Sequence, residues 1–252
     1  MISSTFSAFV YDPIYNALIL IINVVPGGNL GIAVVLVTVL VKLILFPLSR
    51  KAVVTQMRMK ELDAPMKEIK EKYKDNKEMQ ALEMMALYKS KGVNPFATFF
   101  LVLLQIPIIL GLYFVFLKGG LPVVNTDILY SFVKVPEIIN MSFLGFIDIA
   151  GKSWLLALFA GLTQYFQVKY SVSPPPPRKA GVPMDFKEDL ARNMHIQMRY
   201  VLPVIVFFIA YTISAAIALY WTTSNLFMLS QEIFVRRKIK GAAARGTVVV
   251  EG

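Results

Sequence analysis

Cysteine is absent from all 252 residues, and histidine occurs once, as His195. The first absence excludes a disulfide framework, thiolate chemistry and a lipoprotein cysteine anchor. The second leaves no His-rich metal site, and no metal ligands are expected in this chain. No phosphate-cradling glycine loop and no catalytic triad can be read from the residues, so the expectation is a non-enzyme without a cofactor. The first 29 residues contain neither Lys nor Arg. That segment therefore lacks the basic start of a secretory signal and the arginines of an organelle transit peptide.

What the chain has in excess is apolar surface. Hydrophobic residues make up 56% of it, against about 45–50% in ordinary soluble domains. The expected fold is an all-α polytopic membrane protein: a five-span bundle with a cytosolic helical hairpin and an N-terminal interfacial helix. The apolar run from Ile14 to Val25 covers only about 18 Å as helix, short of a hydrocarbon core of about 30 Å. Residues 1–28 are therefore expected to lie at the outer face, ended by Pro26-Gly27-Gly28, with a tilted extra span using residues from Phe6 onward as the alternative. Five longer apolar runs are expected to span: Leu30–Leu48, Phe96–Leu117, Trp154–Tyr170, Tyr200–Ile213 and Ala215–Val235, the last two hinged at Ser214.

The segments divide accordingly. Span 1 takes 29–50, the hairpin 51–93, span 2 95–117, an outer loop 118–152 and span 3 153–170. A cytosolic proline-rich loop takes 171–199, spans 4 and 5 take 200–235, and a basic tail takes 236–252. Of the 26 Lys and Arg residues, 22 fall in residues 50–91, 169–199 and 236–252, that is the hairpin, the proline-rich loop and the tail with the residues at their edges, and 3 in the outer loop. The positive-inside rule then places the N-terminus outside and the C-terminus in the cytosol. The stretch "SPPPPRK" at Ser173–Lys179 reads as a stiff spacer.

In the hairpin, Leu62, Met66, Ile69 and Tyr73 recur at helical spacing, and Met79, Leu82 and Ala86 stripe a second helix that Gly92 should end. Six of the twelve methionines lie between Met57 and Met85. Methionine fills gaps in a seam, and it also suits surfaces that meet varied apolar segments. Either these residues fill the hairpin's own seam, or they form a surface for hydrophobic clients. Met66, Ile69, Met79, Leu82 and Met85 are the candidates for the second role.

The run "VVLVTVLVKLILFP" places Lys42 amid apolar residues. A charge at mid-bilayer costs about 2.5–3.5 kcal/mol on insertion scales. No Asp or Glu falls in the middle of another span, the nearest being Glu232 at the cytosolic end of the last. Snorkelling toward Arg50 would work against the lean of helical side chains toward the helix N-terminus. A third explanation, with snorkelling still open beside it, is a hydrated cavity within the bundle. Polar residues on other spans fit it: Gln105, Thr163, Gln164, Gln167, and the run Thr222, Thr223, Ser224, Asn225. They could equally act as interhelical glue. Collected around Lys42, they would form a positively charged pocket attractive to an acidic guest.

Three stretches carry a resemblance. "GNLGIAVVLVTVLVKLILFPLSRKAVVTQMRM" resembles the first core span of the YidC/Oxa family of membrane protein insertases. "EMMALYKSKGVNPFATFFLVLLQIPIILGLYFVF" resembles its second span and entry, and "LPVIVFFIAYTISAAIALYWTTSNLFMLSQEIFVRR" its closing pair. The likeness runs from about Gly28 to Lys238. It implies a hydrophilic groove open to cytosol and lipid and closed to the outside. Lys42 stands where the family has an arginine. The ammonium keeps the charge but loses the planar fork that grips a carboxylate with two bonds. Gln167 and Gln164 match the groove glutamine, Trp221 the groove aromatic, and Glu61–Lys91 the hairpin that receives clients. The large outer domain of some members and the lipoprotein cysteine of others have no counterpart, and the basic tail is short.

The implied function is insertion of client membrane proteins. A client's hydrophilic end enters the groove at Lys42, Gln105, Thr163, Gln164, Gln167, Trp221, Thr222 and Asn225, and its apolar segment passes into lipid. The implied partners are nascent membrane proteins and the bilayer, with the ribosome and the Sec translocon as further candidates and no small-molecule substrate. The implied location is the bacterial plasma membrane. Two alternatives stay open: an assembly chaperone for membrane complexes without translocation activity, and a small-solute transporter, which would want coupling acids or broken half-helices that the sequence lacks.

Overall fold

The computed structural model describes residues 4–94, 97–118, 121–172 and 192–244. Its regular structure is helical apart from one two-stranded hairpin. The chain divides into two compact units, Met1–Leu43 with Ile108–Ser230, and Ile44–Pro107 with Gln231–Gly252.

The first unit begins with a helical run. A short turn at Ser4–Phe6 and a π-helical turn at Ser7–Tyr11 lead into α1 (Asp12–Val24). The whole run, Ser4–Val24, is long and apolar enough to cross a membrane. It outgrows the short run from which a lying helix was expected because Phe6, Phe9, Val10 and Tyr11 extend the apolar stretch backwards. One side of α1 is fully buried at Tyr15, Leu18, Ile19 and Ile22, the i, i+3, i+4, i+7 spacing of a core-facing stripe.

The chain turns at Pro26–Gly28. Gly28 has a φ of 60°, and a Cβ there would collide with the backbone carbonyl of Ile138, so only glycine fits. The Gly28 carbonyl accepts from the Asn140 N–H at 2.9 Å, and the Asn140 carbonyl accepts from the Leu30 N–H at 3.0 Å. Asn29 caps the next helix, its Oδ1 accepting from the Ile32 N–H at 3.0 Å.

Helix α2 (Leu30–Ile44) buries Leu30, Ala33, Val34 and Val37, and it exposes Ile32, Leu36, Leu40 and Leu43. Helix α7 (Trp154–Ser171) buries Leu156, Ala157, Ala160 and Gly161 and exposes Leu158, Phe159, Leu162 and Phe166. Helix α8 (Leu202–Ile213) repeats the pattern, burying Val206 and Ala210 under exposed Val204, Ile205 and Phe208. A helix apolar on both its buried and its exposed side is a membrane helix, since water would not tolerate the second face. Helices α7 and α8 approach closely at Gly161, where a Cβ would lie 3.1 Å from the Pro203 carbonyl.

Helix α8 is the end of a longer run, Arg192–Ile213, that is long and apolar enough to cross a membrane and contains a π-helical turn at Gln197–Val201. The loop expected to reach residue 199 is thus already helical from Arg192, and the proline stretch Ser173–Lys179 lies outside the described residues. Ser214 is extended, with φ −165° and ψ 160°, and separates α8 from α9 (Ala215–Ala244). The first donors of α9 are satisfied by loop carbonyls: the Ala215 N–H donates to Gly151 at 2.7 Å and the Ala216 N–H to Ile149 at 3.0 Å.

The segment between α6 (Ala97–Lys118) and α7 carries the strands β1 (Ser142–Phe143) and β2 (Ile147–Asp148), and α1 holds it through side chains. The Tyr15 hydroxyl accepts from the Asn125 N–H at 2.8 Å. Asn16 donates to the Ile128 carbonyl at 2.8 Å and accepts from the Tyr130 N–H at 2.7 Å. Asn23 donates to the Lys134 carbonyl at 2.7 Å.

The second unit starts where the first expected span breaks. Helix α2 ends at Ile44 rather than Leu48, and α3 (Phe46–Glu61) begins after Leu45. Pro47 is the cause: it has no N–H for the Leu43 carbonyl, and its ring crowds that turn. Helices α4 (Asp63–Lys72) and α5 (Lys77–Ser90) form the expected antiparallel hairpin. Asn76 caps α5 by accepting from the Met79 N–H at 3.0 Å, and buried Gln80 donates to the Lys70 carbonyl across the pair at 3.0 Å. Gly92, at φ 60°, ends α5 with the Gly92 N–H on Lys89 and the Val93 N–H on Tyr88, a Schellman closure. In this unit Gln231 of α9 donates to the Ser49 hydroxyl. Arg236 pairs with Glu232 one turn away at 2.6 Å. Helix α9 thus continues to Ala244, through half of the segment expected to be a tail.

Candidate functional site

Lys42 lies in the last turn of α2 and is only 7% exposed. Its Nζ donates to Met228 Sδ on α9 at 3.6 Å. A thioether is a weak acceptor, so this contact guides the ammonium without neutralising it. Ser224 lies one helical turn before Met228 on the same face of α9 and is buried. Thr38, a turn before Lys42, is also buried and donates to its own helix at the Val34 carbonyl, 2.6 Å away.

Asn225 precedes Met228 by about 4.5 Å of helix rise. It is buried, and its Nδ2 lies 3.4 Å from Thr163 Oγ1 and 3.5 Å from the Ala160 carbonyl on α7. Lys42 of α2, Asn225 of α9 and Thr163 of α7 therefore belong to one polar layer across three helices. Met228 and Ser224 complete it; Ser224 is one of the polar span residues the sequence offers, and Met228 is not. Met228 looks like an ordinary apolar span residue, and only its spacing from Asn225 points toward the layer.

The other expected residues divide. Gln167 is one turn beyond Thr163 on α7 and donates to Ser171 Oγ at 3.0 Å. Gln164 is half-buried beside it. Trp221 is half-buried against the core of the unit, one turn before Asn225. Thr222 turns back on its own helix, donating to the Ala218 carbonyl at 2.8 Å. Gln105 belongs to the second unit and is half-buried there.

In the hairpin the two apolar stripes behave differently. On the first helix Leu62 is buried and Met66, Ile69 and Tyr73 are half-buried. On α5 the inward face is Gln80, Met84, Leu87 and Tyr88, spaced i, i+4, i+7, i+8. Burial, and then the Asp63 carboxylate, pushes the Tyr88 phenol above its ordinary value. Met79, Leu82 and Met85 point away from the seam, with Leu82 59% and Met85 56% exposed. For these three the own-seam alternative fails, because the α5 seam turns on Gln80 rather than on Met79.

An all-helical membrane protein with a buried cation in a polar layer is the class that this fold and site define. Residues 21–243 match the family described as 60Kd inner membrane protein. Similar proteins include the membrane protein insertase YidC of Clostridium tetani, 31% identical over 217 residues that cover 84% of each chain. The insertase of the same name from Oceanobacillus iheyensis is 31% identical over 230 residues, covering 89% of this chain and 82% of that one. That of Francisella tularensis subsp. novicida is 31% identical over 83% of this chain, which corresponds to 33% of that longer protein. The chain belongs to the 60Kd inner membrane protein family, the YidC/Oxa family that its sequence resembles.

Proposed function

We propose that this protein is a membrane protein insertase, in which the layer around Lys42 receives the hydrophilic end of a client. The observation that supports this best is the burial of Lys42 beside Met228, next along α9 from the buried amide of Asn225. A cation kept in a mostly apolar bundle lowers the cost of bringing an acidic client end to membrane depth. Gln164, Gln167, Thr163 and Thr222 supply neutral donors and acceptors that replace part of the client's hydration. Trp221 lines the same stretch of α9. The client's apolar segment then leaves for lipid, driven by burial.

The exposed stripe of Met79, Leu82 and Met85 is the first landing surface for apolar client segments, whereas Met66 and Ile69 are half-buried on the other helix. Five spans are read from the hydropathy, and the distribution of Lys and Arg puts the N-terminus outside and the C-terminus in the cytosol. If Ser4–Val24, which is long enough to cross, is a sixth span, the N-terminus lies instead in the cytosol. The clients are nascent membrane proteins, with the ribosome or the Sec translocon as their source.

The test is insertion of a single-span client with an acidic N-terminal tail into liposomes holding equal amounts of wild type, Lys42→Arg, Lys42→Gln or Lys42→Glu. Activity with Lys and Arg and failure with Gln and Glu is the expected result. Equal insertion by all four would shift the reading to an assembly chaperone that binds clients laterally.

A further inference from the structure

We propose that the corner where the end of α7 meets the π-helical turn before α8 is a binding site for the phosphate of an anionic phospholipid. Four side chains build it. Tyr165 and Tyr200 approach with ring centroids 6.0 Å apart. Lys169, one turn beyond Tyr165, holds its ammonium 5.8 Å from that ring, and the Arg199 guanidinium lies 5.7 Å from the Tyr200 ring. Two cations therefore flank one aromatic pair. Neither α7 nor the run Arg192–Ile213 contains an Asp or Glu, so these elements offer the cations no carboxylate of their own.

A second observation marks the corner as made for a ligand. Among the described residues, Arg199 Nε and His195 Nδ1 are buried and find no hydrogen-bond partner. They are i, i+4 neighbours and lie on one side of the helix. A buried polar atom without a partner is rare in a native structure and calls for a missing ligand or a strained function. The π-helical turn at Gln197–Val201 contains both Arg199 and Tyr200, and such turns are disproportionately found at functional sites.

The occupant is argued from the surroundings. Phe166 on α7 and Val201 and Val204 on the other run are exposed and apolar. Lys169 is separated from Trp154, at the opposite end of α7, by about 23 Å of helix rise, which fits two membrane interfaces. A phosphate at Arg199 with acyl chains along Phe166 and Val204 satisfies both the charge and the grease. A free anion would leave the apolar flank without a role. None of these residues belongs to the polar layer around Lys42, so the inference stands or falls apart from the insertase reading.

The experiment is native mass spectrometry of the full chain in mild detergent with an equimolar mixture of phosphatidylglycerol and phosphatidylcholine of identical acyl chains. Wild type is expected to favour phosphatidylglycerol in its first bound lipid. Arg199→Gln and Lys169→Gln should each reduce that preference about fivefold, whereas Arg199→Lys should retain most of it. Lys169 is exposed, so its variant tests the site even if Arg199→Gln folds poorly. Arg237→Gln, on the distal part of α9, should leave the preference unchanged. No preference in wild type, or the same preference in Lys169→Gln, overturns the proposal. Loss of lipid to inorganic phosphate or to a short RNA at modest concentration also overturns it, and would assign the corner to that anion instead.

Discussion

Lys42 Nζ and Met228 Sδ meet at 3.6 Å across two helices that are 186 residues apart in the chain. The pair predicts a charge exchange. Lys42→Met should reduce insertion of an acidic-tailed client by about tenfold, a change of about 1.4 kcal/mol. Met228→Lys alone places like charges side by side and should also impair it. The double variant Lys42→Met/Met228→Lys returns one ammonium to the same place and should recover most of the activity. Insertion rates of the four proteins in liposomes check this, and a double variant no better than either single one would contradict it.

Asn16→Ala removes a donor from Ile128 and an acceptor from Tyr130. Leaving such groups unsatisfied costs about 1–3 kcal/mol each where they are buried. The expected outcome is faster cleavage of residues 121–152 by limited proteolysis, with a lowered melting temperature in detergent. Asn23→Ala, at an exposed contact, should show the same direction with a smaller effect.

Gly28→Ala should be among the most damaging small substitutions. It combines a positive φ with a collision against the Ile138 carbonyl. A strained backbone of this kind costs about 1–3 kcal/mol before the collision is added. Gly27, whose added Cβ would meet nothing, should show only the backbone cost. Thermal melts of the two variants side by side separate the terms.

Leu82→Ser with Met85→Ser should leave stability within about 0.5 kcal/mol, since both side chains are exposed. Photo-crosslinks from this helix to an apolar client should fall. Gln80→Ala is the counter-test: it cuts the tie to Lys70 and should lower the melting temperature instead.

Apolar runs and turn residues made most helices legible. Gly92 was readable as a helix stop, and Ser214 as a hinge, because each acts through its own local backbone. Pro47 is readable in the sequence as a residue that interrupts or bounds a span, but hydropathy passes smoothly over Phe46-Pro47 and carries the expected span on to Leu48, past the break at Leu45. The α5 seam was misassigned because Gln80 is polar. An amide that bonds across a hairpin takes a core position that a hydrophobic pattern gives to Met79. At the site, Lys42 and Asn225 were visible as polar residues in greasy surroundings. Which residues they face depends on contacts across most of the chain, and no local pattern encodes those.

The two bonds from Ala215 and Ala216 to the carbonyls of Gly151 and Ile149 have a consequence for how this protein can vary. Both partners are main chain, so the fastening is indifferent to which side chains occupy the loop. Exposed positions of the loop can change and leave the latch closed, although Ile149 itself is a buried core side chain. Only a residue without an N–H, a proline at 215 or 216, removes a strand of it outright. The start of α9 is therefore held by the part of the molecule that sequence drift touches least.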